Sequence, residues 1–381
     1  MADFTLPPET EQFRLELRAW LGEHLTDDVV AAGRRGGADD ETFDTVRAFN
    51  RQMADAGWVA ISWPAEYGGR GASVLEQLVY VEETTRARAP MHLNVIGLQN
   101  IAPAIMRYGT EEQKATLLPR MRRADDIWCQ GMSEPEAGSD LAALRTRAEL
   151  RGDEFVVSGQ KIWTSLGHRA DYCELFVRTD PDVPKHQGIS CLVVDMRLPG
   201  IEARALPTVN GETHFAEVFF DEVRVPASAL LGPLNGGWQV ATTTLSHERA
   251  NAARLYVEQQ LRLGEVVLAM EENGVAADPV ALHRLGELAV RAKLLEDLCK
   301  RSVSADLHGG DPFASASLAK TVWAELGQDI AAFAYDVLGP DAAGGRWGEL
   351  RLSSRSLTIA GGTTQINKNI TAQRVLGLPR R

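Results

Sequence analysis

Gly131-Met132-Ser133-Glu134-Pro135-Glu136-Ala137-Gly138-Ser139-Asp140 is the stretch at which this chain changes texture. Before it, apolar residues recur at threes and fours: Phe13, Leu17, Trp20 and Leu21, then Phe43, Val46 and Phe49. That is the spacing of one helix face. A loop rich in Gly and Pro, residues 57–71, interrupts this pattern. After it, short runs of Val, Ile, Phe and Leu alternate with polar residues at 145–150, 154–158, 175–178, 189–195 and 217–220, which predicts strands. Arg151-Gly152-Asp153 supplies a hairpin turn between the first two. Helical spacing then returns. Trp238, Ala241, Leu245, Glu248, Ala252 and Leu255 form one stripe; Leu282, Leu285, Leu288 and Ala289 form another. Breaks at 273–279 and 339–345 separate the helices.

The expected fold class is therefore α+β and multidomain: an all-α domain over 1–126, a β-sandwich or barrel over 127–230 and a C-terminal helical bundle over 231–381. No βαβ alternation is present, which argues against a parallel Rossmann sheet.

The chain has 381 residues and is 44% hydrophobic, too long for one small core. Its formal net charge of -12 argues against nucleic-acid partners, which need a basic surface. No apolar run is long enough to span a bilayer, and the first residues do not read as a secretory signal. Cys129, Cys173, Cys191 and Cys299 form no Cys-x-x-Cys pair, so no metal site is expected. Free thiols in a reducing cytoplasm are the expectation.

The signatures of dinucleotide folds, P-loops, zinc helices and nucleophile elbows are absent. Three places stand out instead. Glu248 lies on an apolar helix stripe, where a carboxylate is paired, at an edge or functional. Arg249 beside it would hold it ionised or steer it, so a structural salt bridge and a catalytic base are both open. The 131–140 loop offers backbone N–H groups with Ser133 and Ser139, suited to a polar ring or a phosphate, or is an ordinary capped loop. Ala360-Gly361-Gly362-Thr363-Thr364-Gln365 joins two permissive glycines to a helix-capping threonine, a place for an anion or a simple cap.

Four motifs in order give these places a common meaning. They are Gly57-Trp58 through Pro64-x-Glu66-Tyr67-Gly68-Gly69, Ser133-Glu134-Pro135 with Ala137-Gly138-Ser139-Asp140, Gly159-Gln160-Lys161-Ile162-Trp163-Thr164-Ser165, and Gly361-Gly362-Thr363 running to Arg374-Val375-Leu376-Gly377-Leu378-Pro379. Together they resemble the acyl-CoA dehydrogenase family over nearly the whole chain. The resemblance implies a helical N-terminal domain, a β middle domain and a C-terminal four-helix bundle, with FAD between the last two. It implies that Met132 and Ser133 meet the isoalloxazine, Trp163 covers the flavin face, Ser165 approaches N5, and Thr363 and Gln365 meet the adenine end.

The implied reaction is α,β-dehydrogenation of an acyl-CoA thioester in lipid metabolism. A carboxylate takes the α-proton, hydride passes to flavin N5, and donors, among them a backbone N–H around Gly361, face the carbonyl oxygen. Electrons would leave to an electron-transfer flavoprotein or another acceptor. Many members carry the base directly before Gly-Thr in the C-terminal motif; here that residue is Gly361. Glu248, followed by Arg249, matches the alternative position on a bundle helix. Moving the base makes room for branched, bulky or sterol-derived acyl groups. A carrier-protein-bound acyl group is an alternative substrate, and a subunit that completes the site of a heteromeric partner is an alternative role.

The chain also departs from the family. Asn273-Gly274-Val275-Ala276-Ala277 replaces the usual Arg-x-x-Phe-Gly, and Asp336-Val337-Leu338-Gly339-Pro340 replaces Gln-x-x-Gly-Gly. Part of the usual FAD cradle is therefore missing. Either FAD is bound differently in a homotetramer, or a related chain completes the site in a heterotetramer.

Overall fold

The computed structural model describes residues 6–36, 39–247, 252–275, 278–310 and 312–379. The helices before the sheet are α1 (Pro8–His24), α2 (Asp27–Arg34), α3 (Asp40–Asp55), α4 (Val74–Arg86), α5 (Ala102–Tyr108) and α6 (Glu111–Arg122). Eight strands follow: β1 (Trp128–Gly131), β2 (Arg147–Arg151), β3 (Glu154–Ser165), β4 (Tyr172–Arg178), β5 (Ile189–Asp195), β6 (Ile201–Leu206), β7 (Phe215–Pro226) and β8 (Leu230–Leu231). Then come α7 (Gly237–His247), α8 (Ala252–Glu272), α9 (Pro279–Leu307), α10 (Pro312–Leu338), α11 (Arg346–Ser353) and α12 (Thr364–Arg374). The chain divides into two compact units, one of Met1–Thr26, Ala72–Ala89 and Arg249–Arg381, the other of Asp27–Gly71 and Pro90–Glu248.

The first unit is helical. α1 buries Phe13, Leu17 and Leu21, as their spacing predicts. α4 starts on a capping box in which the Ser73 hydroxyl accepts from the Glu76 N–H and the Glu76 carboxylate accepts from the Ser73 N–H. α8, α9 and α10 pack around Tyr256, Val266, Leu288, Leu295, Ile330 and Phe333. The buried stripe of α9 runs through Ala281, Leu288, Ala292, Leu295 and Cys299. The expected stripe is thus only partly right, because Leu282 is 48% exposed and Ala289 is also on the surface. This long helix is apolar on a second side as well, where Leu282, Val290 and Leu294 stand out.

The second unit is built on a mixed sheet in the order β6-β7-β3-β2-β4-β5-β8, with β1 parallel to β4. The hairpin turn expected at 151–153 is there: Gly152, with φ +67°, and Asp153 join β2 to β3, and Arg151 is already paired with Glu154. One face of the sheet carries Leu175, Val177, Leu192, Val194, Val218 and Val225. β1, β6 and β8 escape the strand pattern because they are short or lie half-exposed at edges. Asn94, wholly buried, ties the helices to the sheet: its Nδ2 donates to the carbonyls of Met121 and Asp126, and its Oδ1 accepts from the Trp128 N–H.

α7 packs on β5, and Gly237 permits it: a Cβ there would stand 2.6 Å from the Ser190 carbonyl carbon. The buried side of α7 is Val240, Ala241, Thr243 and Thr244, while Leu245 is 37% exposed. The predicted stripe is rotated because two threonines with bonded hydroxyls occupy the inner face, which apolar periodicity does not register. All four cysteines are free and buried. No helix among the described residues is long and apolar enough to cross a membrane.

Leu295 has no exposed surface. Leu295→Ala is expected to cost about 2–5 kcal/mol, read as a lower urea midpoint with an unchanged slope. A loss below about 1 kcal/mol would mean that the bundle core does not close around it.

Candidate active site

Lys161 is a lysine with no exposed surface, on a strand otherwise chosen for packing. Its Nζ lies 2.8 Å from Glu134 Oε1 and donates to the Met132 carbonyl oxygen at 3.1 Å. The Glu134 carboxylate also accepts from the backbone N–H of Arg145 at 2.6 Å and of Thr146 at 2.9 Å. The Ser133 carbonyl accepts from the Ile162 N–H at 2.9 Å. The loop after β1 is thus held by β3 from behind. Burial pushes the Glu134 carboxyl up, but the ammonium and the N–H donors outweigh it and hold it below its ordinary value. Burial also draws the Lys161 ammonium below its ordinary value, against the pull of Glu134. Neither residue was predicted to matter on its own. The available signal was a lysine inside a strand and a glutamate two residues after Met132, both within motifs that carry the family resemblance.

Four of the predicted residues meet on this support. Met132 and Ser133 are half-buried in the held loop. One strand away, the β3–β7 register slips between Lys161 and Thr164. Trp163 sits in that bulge with φ +61°. A bulge re-aims a side chain that would otherwise alternate into the core, and Trp163 is 58% exposed between two buried neighbours, Lys161 and Thr164. Its ring meets the Phe215 ring edge-on at 5.9 Å. Ser165 is half-buried, paired with Phe215 across the sheet. Ser139 stands apart on an exposed stretch, past the turn closed by the Glu134–Ala137 bridge and next to the Asp140–Lys185 ion pair.

The other predicted residues belong to the helical unit. Gly361 and Gly362 have φ of +64° and +83° and are exposed, conformations that exclude most side chains. Lys320 donates to the carbonyls of Leu357 at 2.7 Å and Gly362 at 3.1 Å, and Asn367 Nδ2 donates to Gly362 at 2.8 Å. The Thr363 hydroxyl accepts from the Ile366 N–H, capping α12, and Gln365 is exposed in its first turn. Gly361 presents no side chain to any reaction. Glu248 and Arg249 lie outside the described residues, between α7 and α8.

Removing the ammonium leaves Glu134 buried without its counter-charge. Lys161→Met is expected to destabilise the protein by about 3–5 kcal/mol, measured by chemical denaturation. A variant as stable as the parent would show that the pair contributes nothing to holding the loop.

The same segments match three models of one family: "Acyl-CoA dehydrogenase, N-terminal domain" over residues 7–125, "Acyl-CoA dehydrogenase, middle domain" over 129–223 and "Acyl-CoA dehydrogenase, C-terminal domain" over 235–376. A relative, acyl-CoA dehydrogenase IpdE1 of Mycobacterium tuberculosis (strain ATCC 25618 / H37Rv), is 36% identical over 98% of this chain and 98% of that protein. A solved structure titled "Tcur3481-Tcur3483 steroid ACAD" superposes with a TM-score of 0.89 at 32% identity, covering 100% of both chains. The ChsE4-ChsE5 complex of Mycobacterium tuberculosis superposes with a TM-score of 0.84 at 32% identity, covering 99% of this chain and 100% of that one.

Proposed function

The chain belongs to the acyl-CoA dehydrogenase family of FAD-dependent oxidoreductases, and from that premise we propose that it oxidises a bulky, sterol-derived acyl-CoA with Glu248 as the base. The observation that carries the reading is Gly361. The C-terminal loop, where many members place the base, holds a glycine in a left-handed conformation with no group able to take a proton. Glu248 is the carboxylate that the sequence offers in its place, and relatives named for steroid chemistry support a large acyl group.

The residues present fit the family's cofactor. An exposed, bulge-presented indole beside a loop of fixed carbonyls suits a planar ring with a polar edge. Met132 and Ser133 would hold the ring edge, Trp163 its face and Ser165 the side near the reacting nitrogen; Thr363 and Gln365 would face the adenine end. When bound, FAD supplies the acceptor for the β-hydride. The protein's own task is the proton. A thioester α-proton is weakly acidic, so the base must be desolvated and the carbonyl oxygen must meet donors as its charge grows. The loop around Gly361, with Lys320 and Asn367 holding the Gly362 carbonyl, is placed in this reading to offer a backbone N–H. Arg249 would steer the carboxylate beside it. Electrons would pass to an electron-transfer flavoprotein or another acceptor.

A second chain is part of the proposal. The departures at 273–277 and 336–340 remove groups that the family uses around FAD. Two structures similar to this one are titled with paired names, Tcur3481-Tcur3483 and ChsE4-ChsE5. The exposed apolar row of Leu282, Val290 and Leu294 on α9 supplies a face for such a partner.

Glu248→Gln is expected to keep its yellow flavin but to lose about 10²–10⁴-fold in the rate of bleaching on adding acyl-CoA. Bleaching at the parental rate would remove Glu248 from the mechanism. Purified alone, the chain is expected to hold less than one FAD per chain, and co-expression with a related chain to restore it. Full flavin occupancy in the isolated protein would instead support a homomer.

A further inference from the structure

β4 reads Tyr-Cys-Glu-Leu-Phe-Val-Arg, with one carboxylate inside an apolar run. Cys173 and Leu175 face the core on one side of the sheet. Glu174, between them, points to the other side and has no exposed surface. Among the described residues, no arginine or lysine answers it. Its carboxylate accepts from Gln130 Nε2 on β1 at 2.9 Å and from the Thr244 hydroxyl on α7 at 2.8 Å. The titratable group that faces it is the Cys191 thiol on β5, which burial and then Glu174 push well up; Gln130 and Thr244 do not ionise.

A buried carboxylate held only by neutral donors is costly where packing alone would serve, so its position calls for a reason. That position is the seating of α7. The start of the helix is fixed by the close approach of Gly237 to Ser190 and by the His186–Trp238 ring contact at 4.6 Å. Its later part is fixed by Tyr108, whose hydroxyl lies 3.2 Å from that of Thr243, and by Glu174 through Thr244. Thr244 stands four residues before Glu248 in the sequence.

We propose that Glu174 is a positioning residue for the catalytic base: by accepting from Thr244 it fixes the last turn of α7, from which the chain runs directly into Glu248. The inference rests on the reading of Glu248 as base. Burial pushes the Glu174 carboxyl up to about 7, so its charge changes in the neutral range. The ionised form accepts from Thr244; protonation puts a donor on the carboxyl and makes the hydroxyl a competing acceptor. Activity therefore rises as pH increases through about 7. Stability runs the other way. A carboxyl whose value is raised on folding binds its proton more tightly in the native state, so the protein loses stability as pH rises from the ordinary carboxyl value through about 7.

The test uses the flavin-loaded protein with any partner chain it requires. Glu174→Gln keeps the size and polarity of the side chain but cannot ionise. It should lower kcat about ten- to a hundred-fold at alkaline pH, leave KM unchanged and abolish the limb near neutral pH in both activity and thermal stability. Thr244→Val should reproduce the loss in kcat, and Thr244→Ser should restore it. Infrared difference spectra between acid and alkaline protein should show a protonated-carboxyl band that Glu174→Gln removes. If Glu174→Gln leaves the pH profile and the infrared band unchanged, the proposal fails, whatever Glu248 does. If the Glu174→Gln profile changes as expected but Glu248→Gln still bleaches, the base assignment fails and this role of Glu174 fails with it.

Discussion

The β unit depends on a buried ion pair. Lys161 and Glu134 come from β3 and from the loop after β1, and they lie 2.8 Å apart with almost no exposed surface. Two such charges are expensive to bury, and their attraction repays the cost only when the remaining donors and acceptors are also satisfied. Here they are: the ammonium also meets the Met132 carbonyl, and the carboxylate also meets two backbone N–H groups of the chain leading into β2. Three segments distant in sequence are thereby locked to one point. The bulge that turns Trp163 outward begins at Lys161, so the indole and the Met132–Ser133 loop are placed by the same anchor.

Three buried glutamates show how environment decides what a carboxylate can do. Glu83 is met by the guanidinium of Arg18 at 2.5 Å and by Arg14 at 3.3 Å. It joins α1 to α4 as a charge answered by charge. Glu134 is met by an ammonium and backbone donors and is held below its ordinary value. Glu174 is met, among the described residues, by an amide and a hydroxyl alone, and burial prevails. The first two fasten segments through ion pairs. The third changes charge under ordinary conditions, and the helix it fastens is the one that leads to Glu248.

The helical, β and helical order was legible because period and turn chemistry are local properties. Phe13, Leu17 and Leu21 are buried as their spacing requires, and Gly152 turns the hairpin that its left-handed φ permits. Of the expected site residues, Met132, Ser133, Trp163 and Ser165 were legible as one group, on the loop after β1 and the end of β3 that it bonds to. Its supports were not. Hydrophobic periodicity weighs a lysine or glutamate as surface, so it passed over Lys161, Glu134 and Glu174, whose burial depends on partners 11 to 70 residues away. The α7 stripe was misplaced for the same reason, since a threonine whose hydroxyl is bonded packs like an apolar residue.

If Glu248 is the base, as proposed, then Gly361 and Glu248 pose one geometrical problem seen from two sides. A base must reach the α-carbon of a thioester whose carbonyl oxygen faces a backbone N–H. If the residue supplying that N–H also carries the carboxylate, the acid sits over the substrate and takes up space beside the acyl chain. A glycine in the left-handed region leaves the backbone donor and removes the side chain. On the proposed reading the proton is then taken from another direction, by Glu248, which follows α7 in the sequence. A helix can shift along its axis or turn on it, so its register has to be fixed by packing and by buried hydrogen bonds. Gly237 against Ser190, Tyr108 against Thr243 and Glu174 against Thr244 provide that fixing on the β unit. On the proposed reading, room for a large acyl group and a buried carboxylate at the seat of α7 both follow from the same displacement of the base.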